Sequence, residues 1–81
     1  MRLDKFLKVS RIIKRRTVAN EACDSQRVSI NGRQAKAGAQ IKIGDIICLQ
    51  FGDKNFKFRI LDISENVKKQ DTTAMYEVIY D

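Results

Sequence analysis

Residues 1–16 read MRLDKFLKVSRIIKRR, and whether they form one helix or two pieces decides the fold. Seven cations stand here, Arg2, Lys5, Lys8, Arg11, Lys14, Arg15 and Arg16, against the single acid Asp4. An α-helix turns about 100° per residue, so the five cations spaced by three would wind back through roughly 240° and circle the cylinder. Leu3, Phe6 and Leu7 share one stripe, but Val9 and Ile12 fall off it. One helix therefore has neither a clean basic face nor a clean apolar face. A break near Ser10 resolves the conflict. Leu3 to Val9 becomes a short helix with Leu3, Phe6 and Leu7 inward and Arg2, Lys5 and Lys8 outward. SRIIKRR becomes a connection pinned by Ile12 and Ile13, its cations held outward.

Thr17 reads as the N-cap of a second helix over about Val18 to Ser25, because its hydroxyl can accept a free amide of the next turn. Val18, Ala19, Ala22 and Cys23 form its apolar stripe, and the small residues suit close packing on the first helix. Ser25 and Gln26 end it without the glycine that eases such exits.

The period then changes to two. Val28-Ser29-Ile30, Asn31-Gly32 and Arg33-Gln34-Ala35 spell a hairpin, since Asn-Gly suits a type I′ turn. Lys36 to Gln40 is loose, Ile41-Lys42-Ile43 alternates, and Gly44-Asp45 turns. Ile46 to Phe51 reads as a largely buried strand, and Gly52-Asp53 turns into the alternating Phe56 to Ile60. Asp62 to Thr73 is polar and reads as a loop, and Met75 to Tyr80 supplies a last strand. The expected class is α+β: two short N-terminal helices, then a small, mostly antiparallel sheet. Residues 1–81 read as one domain, with a modest core at this length.

The net charge of +6 is concentrated, because the opening sixteen residues alone carry +6 and the other 65 cancel. A basic segment on a nearly neutral body is the footprint of a polyanion binder. The longest apolar run, Ile46 to Leu49, is far too short to span a membrane, and the N-terminus lacks a signal-peptide core. The expectation is a soluble, cytoplasmic protein.

Catalysis finds little support. Histidine, the commonest general base, is absent, and the acids are scattered. Cys23 and Cys48 without histidine cannot make a structural zinc site, which needs four ligands, and both read as reduced core thiols. No metal, cofactor or enzymatic activity is expected. Phe6, Phe51, Phe56, Phe58, Tyr76 and Tyr80 read as core rather than base-stacking residues, while Lys57 and Arg59 could share an exposed face. A DNA-reading helix-turn-helix fits poorly, because the second helix exposes Asn20, Glu21 and Asp24 where groove reading needs donors. Cations gathered at helix ends and loops suit the phosphate ridges of folded RNA.

RLDKFL, Arg16-Thr17, VSING and IKIGDII, in that order, resemble the S4-type (alpha-L) RNA-binding domain over Arg2 to about Leu49. That makes residues 1–49 an S4-type core and 50–81 a C-terminal strand extension. RLDKFLKVSRIIKRRTVANEACD is similar in particular to the short RqcP (YabO-like) factors of ribosome-associated quality control, and also to the heat-shock S4 protein. The resemblance implies binding to rRNA of the large (50S) ribosomal subunit carrying peptidyl-tRNA, and support of alanine tailing with an RqcH-type partner. It implies RNA contacts at Arg2, Lys5, Lys8, Arg11, Lys14, Arg15 and Arg16, with Asp4 orienting Arg2 or capping the first helix. Arg27, Asn31, Arg33 and Lys36 are secondary candidates on the hairpin region. A monomer off the ribosome is expected. Gln26 departs from the pattern's usual glycine, and the acidic C-terminal segment lacks the heat-shock protein's basic tail. The alternatives are a standalone S4 module in rRNA or tRNA maturation, heat-shock recycling of stalled subunits, or a protein-interaction adaptor.

Overall fold

Helix α1 spans Leu3–Val9 and helix α2 Arg16–Asp24 in the computed structural model of the chain, which describes residues 1–63 and 75–80. Five strands follow: β1 Val28–Ile30, β2 Arg33–Gln34, β3 Ile46–Phe51, β4 Lys54–Ile60 and β5 Tyr76–Val78. All pairings are antiparallel, in the order β2-β1-β3-β4-β5. The two-helix, antiparallel-sheet class expected above is the one observed.

The break in the opening stretch falls at Ser10, the residue that closes α1. Arg11 takes a left-handed φ of 63°, and the Ile13 amide returns to the Leu7 carbonyl at 3.0 Å. That reversal drops Ile13 into the core and leaves Arg11, Lys14 and Arg15 exposed. Helix α2 exits the same way. Gln26 has φ 64°, and the Gln26 and Arg27 amides donate to the Cys23 and Ala22 carbonyls, which is a Schellman motif around a residue other than glycine.

Leu3, Phe6 and Leu7 are fully buried against the sheet, and the Phe6 ring stacks on Phe58 of β4 with centroids 6.1 Å apart. Phe58 also meets Phe56 and Tyr76, so α1 rests on an aromatic cluster. Strand β3 is buried on one side only. Ile47 and Leu49 take the helix-facing side, which turns Cys48 to the opposite face in a cross-strand row with Ser29 and Lys57. Cys48 is thus half-buried rather than a core thiol, whereas Cys23 is buried.

The three amides that α1 cannot bond within itself are all satisfied. Leu3 donates to the Ala39 carbonyl at 2.9 Å, Asp4 to the Ala37 carbonyl at 3.2 Å, and Lys5 to the Asp4 carboxylate at 2.8 Å. The Ile41 amide reaches the Met1 carbonyl, and the terminal ammonium reaches Gln40 Oε1 at 3.3 Å. The start of α1 is therefore stitched to the loop that looked unstructured in the sequence.

Four local expectations change. Thr17 does not cap α2: the helix begins at Arg16, with Arg15 in extended conformation before it and no side-chain cap. Val18 is 45% exposed, off the buried stripe of Ala19 and Cys23. Ile41 to Ile43 is not a strand, because the Asp45 carboxylate accepts the Lys42 amide at 3.0 Å and curls the segment, leaving Ile43 exposed. Tyr80 is not core but 88% exposed, beyond the end of β5. The side chain of Phe51 and most of the expected 62–73 loop lie outside the described residues.

Candidate nucleic-acid interface

Asp4 is 1% exposed yet surrounded by donors. Arg2 reaches it through Nε at 3.2 Å and Nη2 at 3.3 Å, Arg16 through Nε at 3.5 Å, and Asn20 through Nδ2 at 3.4 Å. Both arginine side chains are about half exposed, at 48% and 50%. A guanidinium has five N–H donors, so each keeps donors for an external anion after bonding Asp4. A cavity of about 380 Å³ opens here between Asp4, Arg16, Thr17 and Asn20.

Burial pushes the Asp4 carboxyl up. The Asn20 amide, the Lys5 backbone N–H and the charges of Arg16 and Arg2 outweigh it, so the group sits below its ordinary value. These partners favour the ionised carboxylate. It acts as a fixed buried anion that holds two cations at a set spacing.

The local sequence explains the convergence. Asn20 lies four residues after Arg16, so both project from one side of α2, and Asp4 faces them from the first turn of α1. The sequence reading took Asn20 for a solvent residue. No local signal marks it, because Asn20 and Arg16 both donate to a carboxylate sixteen and twelve positions back in the chain.

Cations also crowd the wrong end of α2 by dipole rules. Arg15 and Arg16 stand at its start, and its first turn has no acid. Each cation placed there costs on the order of 0.3–1 kcal/mol unless an anion compensates. Lys8, Arg11, Lys14 and Arg15 are exposed along the α1 end and the connection, and Lys5 is half-buried on α1.

The secondary candidates divide. Arg33 and Lys36 are exposed and line one groove with Ile30, Ala35 and Ala39. The Arg2 guanidinium lies over the same loop, beside Gly38. Arg27 instead borders a separate hollow with Gln50 and Asn55. Asn31 is committed elsewhere: its amide donates to Asp45 at 3.1 Å and accepts the Ile46 N–H at 2.9 Å. With φ 51° at Asn31 and 85° at Gly32, it locks a type I′ turn onto the 42–45 turn, which is an architectural task. Of the pair on the sheet, Arg59 is exposed and ion-paired with Glu77 at 3.5 Å, and Lys57 is half-buried.

Among the described residues no group of three or more His, Cys, Asp or Glu could hold a metal, and no helix is long and apolar enough to cross a membrane.

The sequence model of the S4 domain matches residues 1–47. This chain belongs to the S4-domain family. It is 50% identical over 78 residues to the RQC P-site tRNA stabilizing factor of Halalkalibacterium halodurans, covering 96% of this chain and 89% of that one. It is 48% identical over 79 residues to the Streptococcus pneumoniae protein of the same description, covering 98% and 90%. Similarity of that extent makes it a member of this group of S4 proteins as well. Among solved structures, the trimeric heat shock protein 15 of Vibrio cholerae superposes with a TM-score of 0.87 at 29% identity, covering 98% of this chain and 81% of that one. The S4 resemblance drawn from RLDKFL, VSING and IKIGDII is thus borne out. All the candidate residues from Arg2 to Lys36, with Asp4 and Asn20, fall inside the matched S4 span.

Proposed function

We propose that this protein is an RNA-binding factor of ribosome-associated quality control that engages the large ribosomal subunit carrying peptidyl-tRNA. Arg2, Lys5, Lys8, Arg11, Lys14, Arg15 and Arg16 contact rRNA and tRNA phosphates, with Arg33 and Lys36 extending the surface. Arg27 lies apart and contributes less, and Asn31 acts through the fold. The protein acts by holding RNA rather than by catalysis, works in the cytoplasm as a monomer off the ribosome, and supports alanine tailing with an RqcH-type partner. Residues 1–49 form the RNA-binding core, with 50–81 as its strand extension.

The observation that carries this reading is the pair of guanidiniums held by one buried carboxylate at the head of an almost acid-free basic surface. A solubilising surface has no use for a fixed spacing between cations. A phosphate ridge does, because bidentate contacts reward it. The names of the relatives point the same way, toward a tRNA in the P site.

Purification of the C-terminally tagged protein from cells tests the reading. Recovery of large subunits with peptidyl-tRNA supports it; precursor rRNA or tRNA points to maturation, and an RNA-independent protein partner to an adaptor. In vitro, about 4–6 phosphate contacts give a log–log salt slope of roughly −3 to −5 for a stem-loop RNA. A flat salt response sinks the idea.

A further inference from the structure

A groove of about 610 Å³ runs between the β1–β2 hairpin and the loop that follows it, the loop over which the Arg2 guanidinium lies. Its volume falls in the range of small-ligand sites. Half-buried Ile30, Ala35 and Ala39 give it apolar walls of small side chains, and the exposed Arg33 and Lys36 supply charge with no acid among the lining residues. Asn31 lines it too, but its amide is spent on Asp45 and Ile46. One long wall is β2, the edge strand of the sheet.

We propose that this groove takes one unpaired RNA nucleotide, its base laid between the Arg33 guanidinium plane and the alanine methyls and its phosphate on Lys36. The proposal rests on the RNA-binding reading above and adds a single-strand contact to a surface otherwise suited to phosphate ridges. Such a nucleotide complements both surfaces of the groove. A double-stranded ridge presents phosphates and would leave the apolar walls wet, whereas an extruded nucleotide carries both an apolar face and an anion. Among the described residues no aromatic ring lines the groove; the amides of Asn31 and Gln34 are bonded elsewhere, which leaves Arg33 as the uncommitted planar group with charge, and guanidinium planes are established platforms for unstacked bases. An extended peptide pairing with the β2 edge is the competing occupant, and the two cations count against all but an acidic one.

NMR titration of the full chain with the tetranucleotide rAAAA separates the outcomes, with a fully paired RNA stem and an acidic pentapeptide as parallel probes. The tetranucleotide is expected to shift the Ile30, Ala35, Lys36 and Ala39 amides, and the stem those of α1 and the start of α2. Arg33→Lys keeps the charge and loses the plane. It should weaken tetranucleotide binding about tenfold, within the range stacking one base contributes, weaken stem binding by clearly less because the charge remains, and leave circular dichroism unchanged. Tyr80→Ser, at an exposed position outside the groove, is the control and should leave both affinities near wild type. The proposal is overturned if the tetranucleotide moves only α1–α2 amides, if Arg33→Lys binds it as well as wild type does, or if the peptide alone occupies the groove. Stem binding that survives in those cases leaves the broader RNA-binding reading standing; loss of stem binding by the wild-type protein overturns that reading instead.

Discussion

Arg16 and Asp4, twelve residues apart, meet with Nε 3.5 Å from Oδ2. This bond joins the first turn of α2 to the first turn of α1. The contact that sets the cation spacing therefore also helps set how the two helices pack.

Replacing Asp4 by Asn separates position from charge. The substitution raises the net charge to about +7, so an unstructured electrostatic surface would bind RNA more tightly. Here the expected result is the reverse: stem-loop affinity by fluorescence anisotropy falls at least fivefold, because the guanidiniums lose the shared carboxylate charge and one of its two acceptor oxygens becomes a donor. Stability in urea should drop by about 2 kcal/mol, the usual penalty for disrupting a buried charged network. Tighter binding would refute the positioning role. Asn20→Ala should cost less, about 1 kcal/mol.

Acid should loosen the fold through the same group. Burial raises the Asp4 carboxyl, but Asn20, the Lys5 amide, Arg16 and Arg2 together hold it below 3.8. A carboxyl whose folded value is depressed contributes stability that is fully present above its unfolded value and lost as pH falls through the folded one. Urea midpoints measured from pH 6 down to pH 2.5 should show the wild-type advantage over Asp4→Asn shrinking once the pH passes below about 4. A constant gap would show that Asp4 titrates alike in both states.

The two thiols should differ sharply in reactivity. Burial first, then the carboxylates of Asp4 and Asp24, pushes Cys23 up to about 11, so little thiolate forms near neutrality. Cys48 lies half-buried on the outer sheet face. Iodoacetamide at pH 8 followed by peptide mass spectrometry should label Cys48 and spare Cys23 until denaturant is added. Equal rates would contradict the burial of Cys23.

Left-handed exits at residues other than glycine leave stability unclaimed. Gln26→Gly should raise stability by about 0.5–1 kcal/mol, seen as roughly 2–8 °C in Tm for a domain this size. Arg11→Gly should stabilise by a similar amount and weaken RNA binding, since it removes an exposed cation. If both variants are destabilised, the left-handed geometry at these exits is wrong.

The sequence made the architecture legible wherever a local pattern had one solution. A period of three cannot be reconciled with a single helix, which located the break at Ser10, and Asn31-Gly32 admits few turns other than the one found. The limits of α2 and the course of residues 36–45 were harder, because long-range side chains decide them. Asp4 fixes Arg16 at the start of α2, and Asp45 curls Lys42 to Asp45 against an alternating pattern that would otherwise suit a strand. In the candidate site, the cations were visible as composition. The role of Asp4 toward Arg2 and the start of α1 is legible too, but its hold on Arg16 and Asn20 is not, since nothing local announces partners twelve and sixteen positions away.

The ammonium of Met1 touches Gln40, and the carbonyl of Met1 receives Ile41. A handle fused ahead of Met1 would abolish that ammonium and have to leave past Gln40, next to the Arg2 guanidinium. Reporter fusions at that end would then depress RNA affinity through crowding alone and imitate a loss-of-function mutation.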